Sequence, residues 1–164
     1  MTLWITRCVS RRSRFLIGFP CDAHRMGRGK LYFCRAVGSG RQTREVVADP
    51  ALMARLRLDP SRQLLGAQCS GTLILAKLGL LDGVPACTDL ITKPWVEEAG
   101  VCVLNQPFVA KGNVATAGGC LASQYLAAWM IARLEGIEAA KSAMHYVAPV
   151  GEKDEYFLQE VQTR

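Results

Sequence analysis

Cys69 lies in the stretch 64–81, LLGAQCSGTLILAKLGLL, where an apolar run reads as a strand, a cluster of small residues as a turn, and the apolar spacing that follows as a helix. A cysteine on such a turn, at the carboxyl edge of a sheet, can serve as a nucleophile. Gly66 and Ala67 before it, and Ser70 and Gly71 after it, put little bulk in the way of a sharp bend. A helix N-terminus beneath the sulfur favours thiolate, and can bring a cysteine pKa from about 8.5 into the range of roughly 3.5–7.5. The Ser70 and Gly71 amides would then be positioned to stabilise negative charge on a bound intermediate. The competing reading is structural: cysteine is small and fits a crowded turn. This stretch alone leaves both open.

Other residues capable of chemistry are scattered. Seven cysteines (Cys8, Cys21, Cys34, Cys69, Cys87, Cys102, Cys120) form no C-x-x-C pair, and no histidine completes a zinc spacing. No metal and no cofactor is expected, and the thiols are expected to be reduced in a cytoplasmic setting. His145 is read as a packed residue of the last helix, and His24 has no evident partner. Cys102 and Cys120 read as packing positions, with a redox role as a second reading for Cys120 at a helix start. Trp95 and Trp129 suit core or dimer contacts better than base stacking.

The elements that must hold Cys69 follow from the pattern around it. DPALMARLRL reads as a short helix with Asp49 as N-cap and Pro50 at its first position. RQLLGAQ is a strand and SGTLILAKLGLL a helix that ends at Asp82-Gly83. PACTDLI reads as a strand, KPWVEEAG as a helix closed by Gly100, and VCVLNQPFVAKGNVATA as strands turning at Gly112-Asn113. CLASQYLAAWMIARLEG and IEAAKSAMHYV are two closing helices separated at Gly136. Strands alternating with helices imply an α/β fold with a largely parallel sheet.

Charge divides the chain unevenly. The net charge is +6. Residues 1–36 hold eight Lys/Arg and one acid, Asp22, for +7, and residues 37–164 hold twelve Lys/Arg and thirteen acids, for −1. The basic character therefore belongs to an atypical N-terminal segment, residues 1–36, where only FLIGF and LYF suggest short strands. Without an amphipathic helix this segment is a poor transit peptide, and nucleic acid is not an expected partner. Residues 37–150 form the α/β domain and residues 151–164 a polar tail. No apolar run is long enough to span a bilayer, so no membrane partner is expected.

The surroundings of the elbow resemble the ThiJ/PfpI family, relatives of the class I glutamine amidotransferases, over residues 37–149. VGSGRQTREVVADPALMARL is similar to the family's glycine loop and the segment after it, with Gly38-Ser39-Gly40 in place of Pro-Gly-Gly. LGLLDGVPACTDL and NVATAGGCLASQYLAAWMIARLEGIEAAKSAMHYV follow in the family's order. The resemblance implies a flavodoxin-like sandwich, usually dimeric, with Cys69 as the reactive group. It implies an oxyanion or substrate-binding set of Gly38, Ser39, Gly40, Ser70, Gly71, Thr88, Asp89, Gly118 and Gly119.

The elbow and the threonine strand look most similar to isonitrile hydratases. That branch implies a small-molecule substrate: thiolate attack on an isocyanide carbon, and a thioimidate that water resolves to an N-substituted formamide. Two departures open an alternative, a non-catalytic ligand-binding, regulatory or redox-sensing relative, or a truncated inactive member. Asp89 stands where many members have His, which removes a Cys–His pair. The first βα unit, which supplies an acid to the cysteine in the family, is lacking or altered; Asp22 in FLIGFPCDAH is the nearest substitute.

Overall fold

Helix-forming and strand-forming stretches alternate around a mixed sheet in a computed structural model of the chain, which describes residues 24–26, 30–151 and 153. Five strands, β1 (His24–Met26), β2 (Lys30–Val37), β3 (Gln63–Gln68), β4 (Phe108–Lys111) and β5 (Val114–Ala117), lie in the order β1-β2-β3-β5-β4. The central three, β2, β3 and β5, run parallel, and β1 and β4 pair antiparallel at the two edges.

β3 is buried along Leu64, Leu65, Gly66 and Ala67, and β5 along all four residues. Such uninterrupted burial marks strands covered on both faces. Leu65 and Ala67 join Val37, Val46, Leu73, Ile74 and Leu75 in one core. The intervening Gly66 faces the opposite layer, where an added Cβ would meet Met130 and Leu126. That layer holds Phe108, Ala115, Ala117, Ala122 and Leu126. The alternation is the period-2 geometry of a strand, and it yields a three-layer α/β/α sandwich.

The first layer carries α1 (Thr43–Ala48), α2 (Pro50–Met53), α3 (Gly71–Lys77) and α4 (Lys93–Glu98). Asp49 caps α2 as expected, its carboxylate accepting from the Ala51 and Leu52 N–H groups at 2.8 and 3.2 Å. The other layer carries a short 3₁₀ turn, Cys120–Ala122, then α5 (Ser123–Glu135), with α6 (Ile137–Val147) packed against α5. Arg133 on α5 donates to Gly112 O at 2.7 Å and Asn113 Oδ1 at 2.8 Å, fixing the β4–β5 turn to the helix.

Three expectations change. PACTDLI is not a strand: it contributes a single bridge, Ala86 to Val103, because Asp89 turns the chain at once into α4. β2 extends LYF to eight residues, Lys30–Val37. His145, Cys102 and Cys120 are exposed rather than packed. Asp22 and the FLIGF segment lie outside the described residues, as does nearly all of the tail. Among the described residues no helix is long and apolar enough to cross a membrane.

Candidate active site

Cys69 follows directly from β3 and is the only described non-glycine residue at positive φ, +48°. A side chain in this region is strained, and such strain gathers at functional sites. Three contacts hold the bend. The Cys69 N–H donates to Ala117 O on the neighbouring strand at 2.8 Å. Its carbonyl accepts from Thr88 Oγ1 at 2.8 Å. Gly71, at the start of α3, presses against β2's exit: a Cβ there would lie 2.4 Å from Val37 O and 2.8 Å from Gly38 O. Only glycine allows the elbow and the Gly38–Gly40 loop to approach so closely.

The loop opposite is tied to the elbow through one hydroxyl. Ser70 Oγ accepts from the Gly40 N–H at 3.1 Å, and lies 2.9 Å from Thr43 Oγ1 and 3.3 Å from Ser39 Oγ. Ser70 therefore serves as a strut between two loops. On the other side, Gly118 packs against Thr88, whose carbonyl oxygen would lie 2.4 Å from an added Cβ. Gly119, at φ +86°, brings its N–H to the Cys69 sulfur.

A cavity of about 410 Å³ opens at this junction. Cys69, Ser39, Gly40, Ser70 and Asp89 line it, together with Arg44 and Trp95. A ThiJ/PfpI family protein from Pseudomonas syringae superposes with a TM-score of 0.60 at 24% identity, over 74% of this chain and 52% of that one. The fold is that of the ThiJ/PfpI and DJ-1 superfamily. A DJ-1 superfamily protein from Salmonella typhimurium, solved with a cysteine replaced by alanine, matches with a TM-score of 0.56 at 27% identity, over 70% of this chain and 64% of that one. Drosophila melanogaster DJ-1beta matches with a TM-score of 0.55 at 21% identity, over 65% and 60%. The chain thus spans between about half and two thirds of the length of these superfamily structures. Neither a protein-family model nor a curated protein sequence matches the chain.

Of the residues the resemblance singled out, Cys69, Ser39, Gly40, Ser70 and Asp89 meet at the cavity. Gly38, Gly71, Thr88, Gly118 and Gly119 shape its walls through the backbone contacts above. Asp89 is engaged internally: Oδ1 accepts from the Ile91 and Thr92 N–H groups at 3.0 and 2.9 Å, and Oδ2 from Thr92 Oγ1 at 2.8 Å. Its carboxylate starts α4 rather than standing free as a base.

The thiol itself departs from expectation. Burial pushes the Cys69 thiol up, while donation from the Gln68 side chain and the Gly119 N–H draws it down; Cys120 and Asp89 add to the upward push. The expected lowering at a helix start is outweighed by burial, Cys69 being 4% exposed. Among the described residues no group of three His, Cys, Asp or Glu side chains is placed to hold a metal.

Sequence reasoning missed Gln68, Arg41, Arg44 and Trp95 as site residues. Gln68 Nε2 donates to Cys69 Sγ at 3.2 Å and to Gly119 O at 2.6 Å, so one amide links the elbow to the second glycine turn. Its Oε1 is buried and has no partner. The sequence signal was only its adjacency to the cysteine. Arg44 stacks on Trp95, its guanidinium carbon 4.3 Å from the ring centroid. No sequence spacing links two residues so far apart along the chain.

Proposed function

We propose that the chain is a cysteine-dependent enzyme of the ThiJ/PfpI type that hydrates isocyanides to N-substituted formamides. The observation that carries this reading is Cys69 at φ +48°, under the Gln68 amide and beside an open cavity. Strain at a non-glycine residue persists only where the surrounding structure enforces it.

In the proposed reaction, sulfur adds to the terminal carbon of R–N≡C and the thiol proton goes to the same carbon, giving the thioimidate R–N=CH–S–Cys69. Water then adds to that carbon, the C–S bond breaks, and R–NH–CHO leaves as the thiol is regenerated. Attack leaves the electron pair on the terminal carbon, where the proton quenches it; when water adds to the thioimidate, nitrogen takes a proton, and the elbow amides of Ser70 and Gly71 steady the charge that develops in that step. Because the thiol is held above the usual range and the thiolate is the nucleophile, turnover rises with pH as thiolate becomes available.

Incubation with a simple alkyl isocyanide in H₂¹⁸O tests this. The expected result is an N-alkylformamide carrying one ¹⁸O, absent with Cys69→Ser, and a Cys69 adduct of the isocyanide's mass on rapid quench. Neither product nor adduct at any pH up to 9.5 sinks the reading.

A second reading, a non-catalytic ligand-binding relative, is favoured by Asp89, whose carboxylate already accepts three hydrogen bonds. It predicts ligand-dependent thermal stabilisation that survives Cys69→Ala. We further propose a homodimer, because Leu90, Ile91 and Leu121 beside the cavity are 85%, 77% and 82% exposed. Sedimentation that gives a monomer at micromolar concentration overturns it. A cytoplasmic location is proposed from Cys69, Cys87, Cys102 and Cys120, which are free thiols.

A further inference from the structure

On the reading of Cys69 as the reacting group, we propose that its cavity selects substrates bearing a carboxylate, held at the cavity mouth by Arg41 and Arg44. Both arginines line the cavity. Among the described residues neither has a carboxylate partner. Both lie within one turn of the glycine loop, on the segment that Ser70 and Thr43 fasten to the elbow, so their backbone is fixed relative to Cys69.

Arg44 is held further by its own side chain. Stacking on Trp95 occupies the face of the guanidinium and leaves its N–H edge for a planar, two-oxygen acceptor. The remaining charge in the cavity is Asp89, whose oxygens are already used by Ile91 and Thr92. Two arginines against one carboxylate leave the cavity lining with a net positive formal charge. Leu73, Ile91 and Trp95 supply apolar wall for a short carbon body between the carboxylate and the sulfur.

Iodoacetate and iodoacetamide test this, because they differ in charge and deliver the same carbon to sulfur. Alkylation at pH 9 is followed at each cysteine by peptide mass spectrometry, with exposed Cys102, which does not line the cavity, as the internal reference. The iodoacetate-to-iodoacetamide rate ratio at Cys69 is expected to exceed that at Cys102 by about fivefold, the upper end for an exposed charge contact. It should fall to the Cys102 value in the double variant Arg41→Gln/Arg44→Gln and shrink with added salt.

Equal ratios at the two cysteines overturn the proposal, and so does a high ratio that survives the double variant. Failure of the hydratase reading looks different: a selective ratio at Cys69 with no formamide from any isocyanide leaves the carboxylate site standing. Resistance of Cys69 to both reagents removes the reactive thiol and the carboxylate site together. A phosphate-bearing ligand is the other source of such chemistry. If inorganic phosphate protects Cys69 from iodoacetamide and acetate does not, the assignment to a carboxylate is wrong.

Discussion

Cys69 and Cys87 are two buried thiols, 4% and 0% exposed, and burial raises both. Around Cys87 the chain makes ordinary interior contacts: its N–H donates to Thr116 Oγ1 at 2.8 Å and its carbonyl accepts from Thr72 Oγ1 at 3.0 Å. Nothing opposes the burial, and the thiol is pushed up to about 11. Around Cys69 the backbone is strained, two donors reach the sulfur, and a cavity opens beside it. Burial alone makes a cysteine inert; opposing donors and access make it a candidate for chemistry.

The largest test of this contrast is activity. Cys69→Ser is expected to lower formamide production by about 10³-fold or more, as loss of a nucleophile does. Cys87→Ser should leave turnover within about twofold while costing about 1–3 kcal/mol of stability for a hydroxyl placed in an apolar site. Steady-state rates and urea denaturation on both variants check this. A folded Cys87→Ser protein that has lost turnover breaks the comparison.

The second test is pH. Unfolded cysteines titrate near 8.5, and both folded thiols lie higher, so above that pH the folded state holds protons the unfolded state has released. Stability is therefore full below about pH 8.5 and falls as pH rises through the folded values. Cys87 carries the larger part, up to about 3 kcal/mol by pH 11. Urea midpoints measured from pH 7.5 to 10.5 should decline, and the decline should be shallower in Cys87→Ala. An unchanged slope would mean that Cys87 is not held as a thiol.

Packing supplies the third test. In Gly71→Ala the new methyl falls 2.4 Å from Val37 O, a backbone atom that cannot rotate away. The expected loss is about 1–3 kcal/mol, with Cys69 alkylation disturbed because the elbow and glycine loop separate. Gly83→Ala is the control for left-handed glycine strain, since its φ is +66° and no atom lies within 4 Å. If the control matches Gly71→Ala in both stability and alkylation, the loop contact has no special role.

Much of this contrast was legible in the chain itself, and the reasons for the misses are physical. The run LLGAQ before Cys69 and the small residues after it specify a buried strand and a turn, and both are present. β2 was largely hidden because Cys34 and Arg35 interrupt its apolar pattern, although pairing with Gln63 through Ala67 carries it to Val37. α1 was missed because Gln42 offers no side-chain cap and Val46-Val47 favours strand, yet burial of Val46 in the core holds it helical. The cation pair at the cavity was invisible for a different cause. Arg44 meets Trp95 only through folding, so neither residue carries a local signal.

The smallest expected effect falls on Gln68, which separates the two cysteines most finely. Its amide nitrogen serves the Cys69 sulfur and Gly119 O at once, while its buried Oε1 has no partner. An unsatisfied buried acceptor costs about 1–3 kcal/mol, and the two donor bonds offset only part of that. Gln68→Met keeps the side-chain length and removes both polar atoms, so its stability should stay within about 1 kcal/mol of the parent or rise. The thiol, with one donor lost, should move further up, and iodoacetamide alkylation of Cys69 at pH 8 should slow several-fold. Cys87 gives the limit of that movement, since no donor opposes its burial. If the rate at Cys69 is unchanged in Gln68→Met, the amide does not set its reactivity, and the two thiols differ only in access and strain.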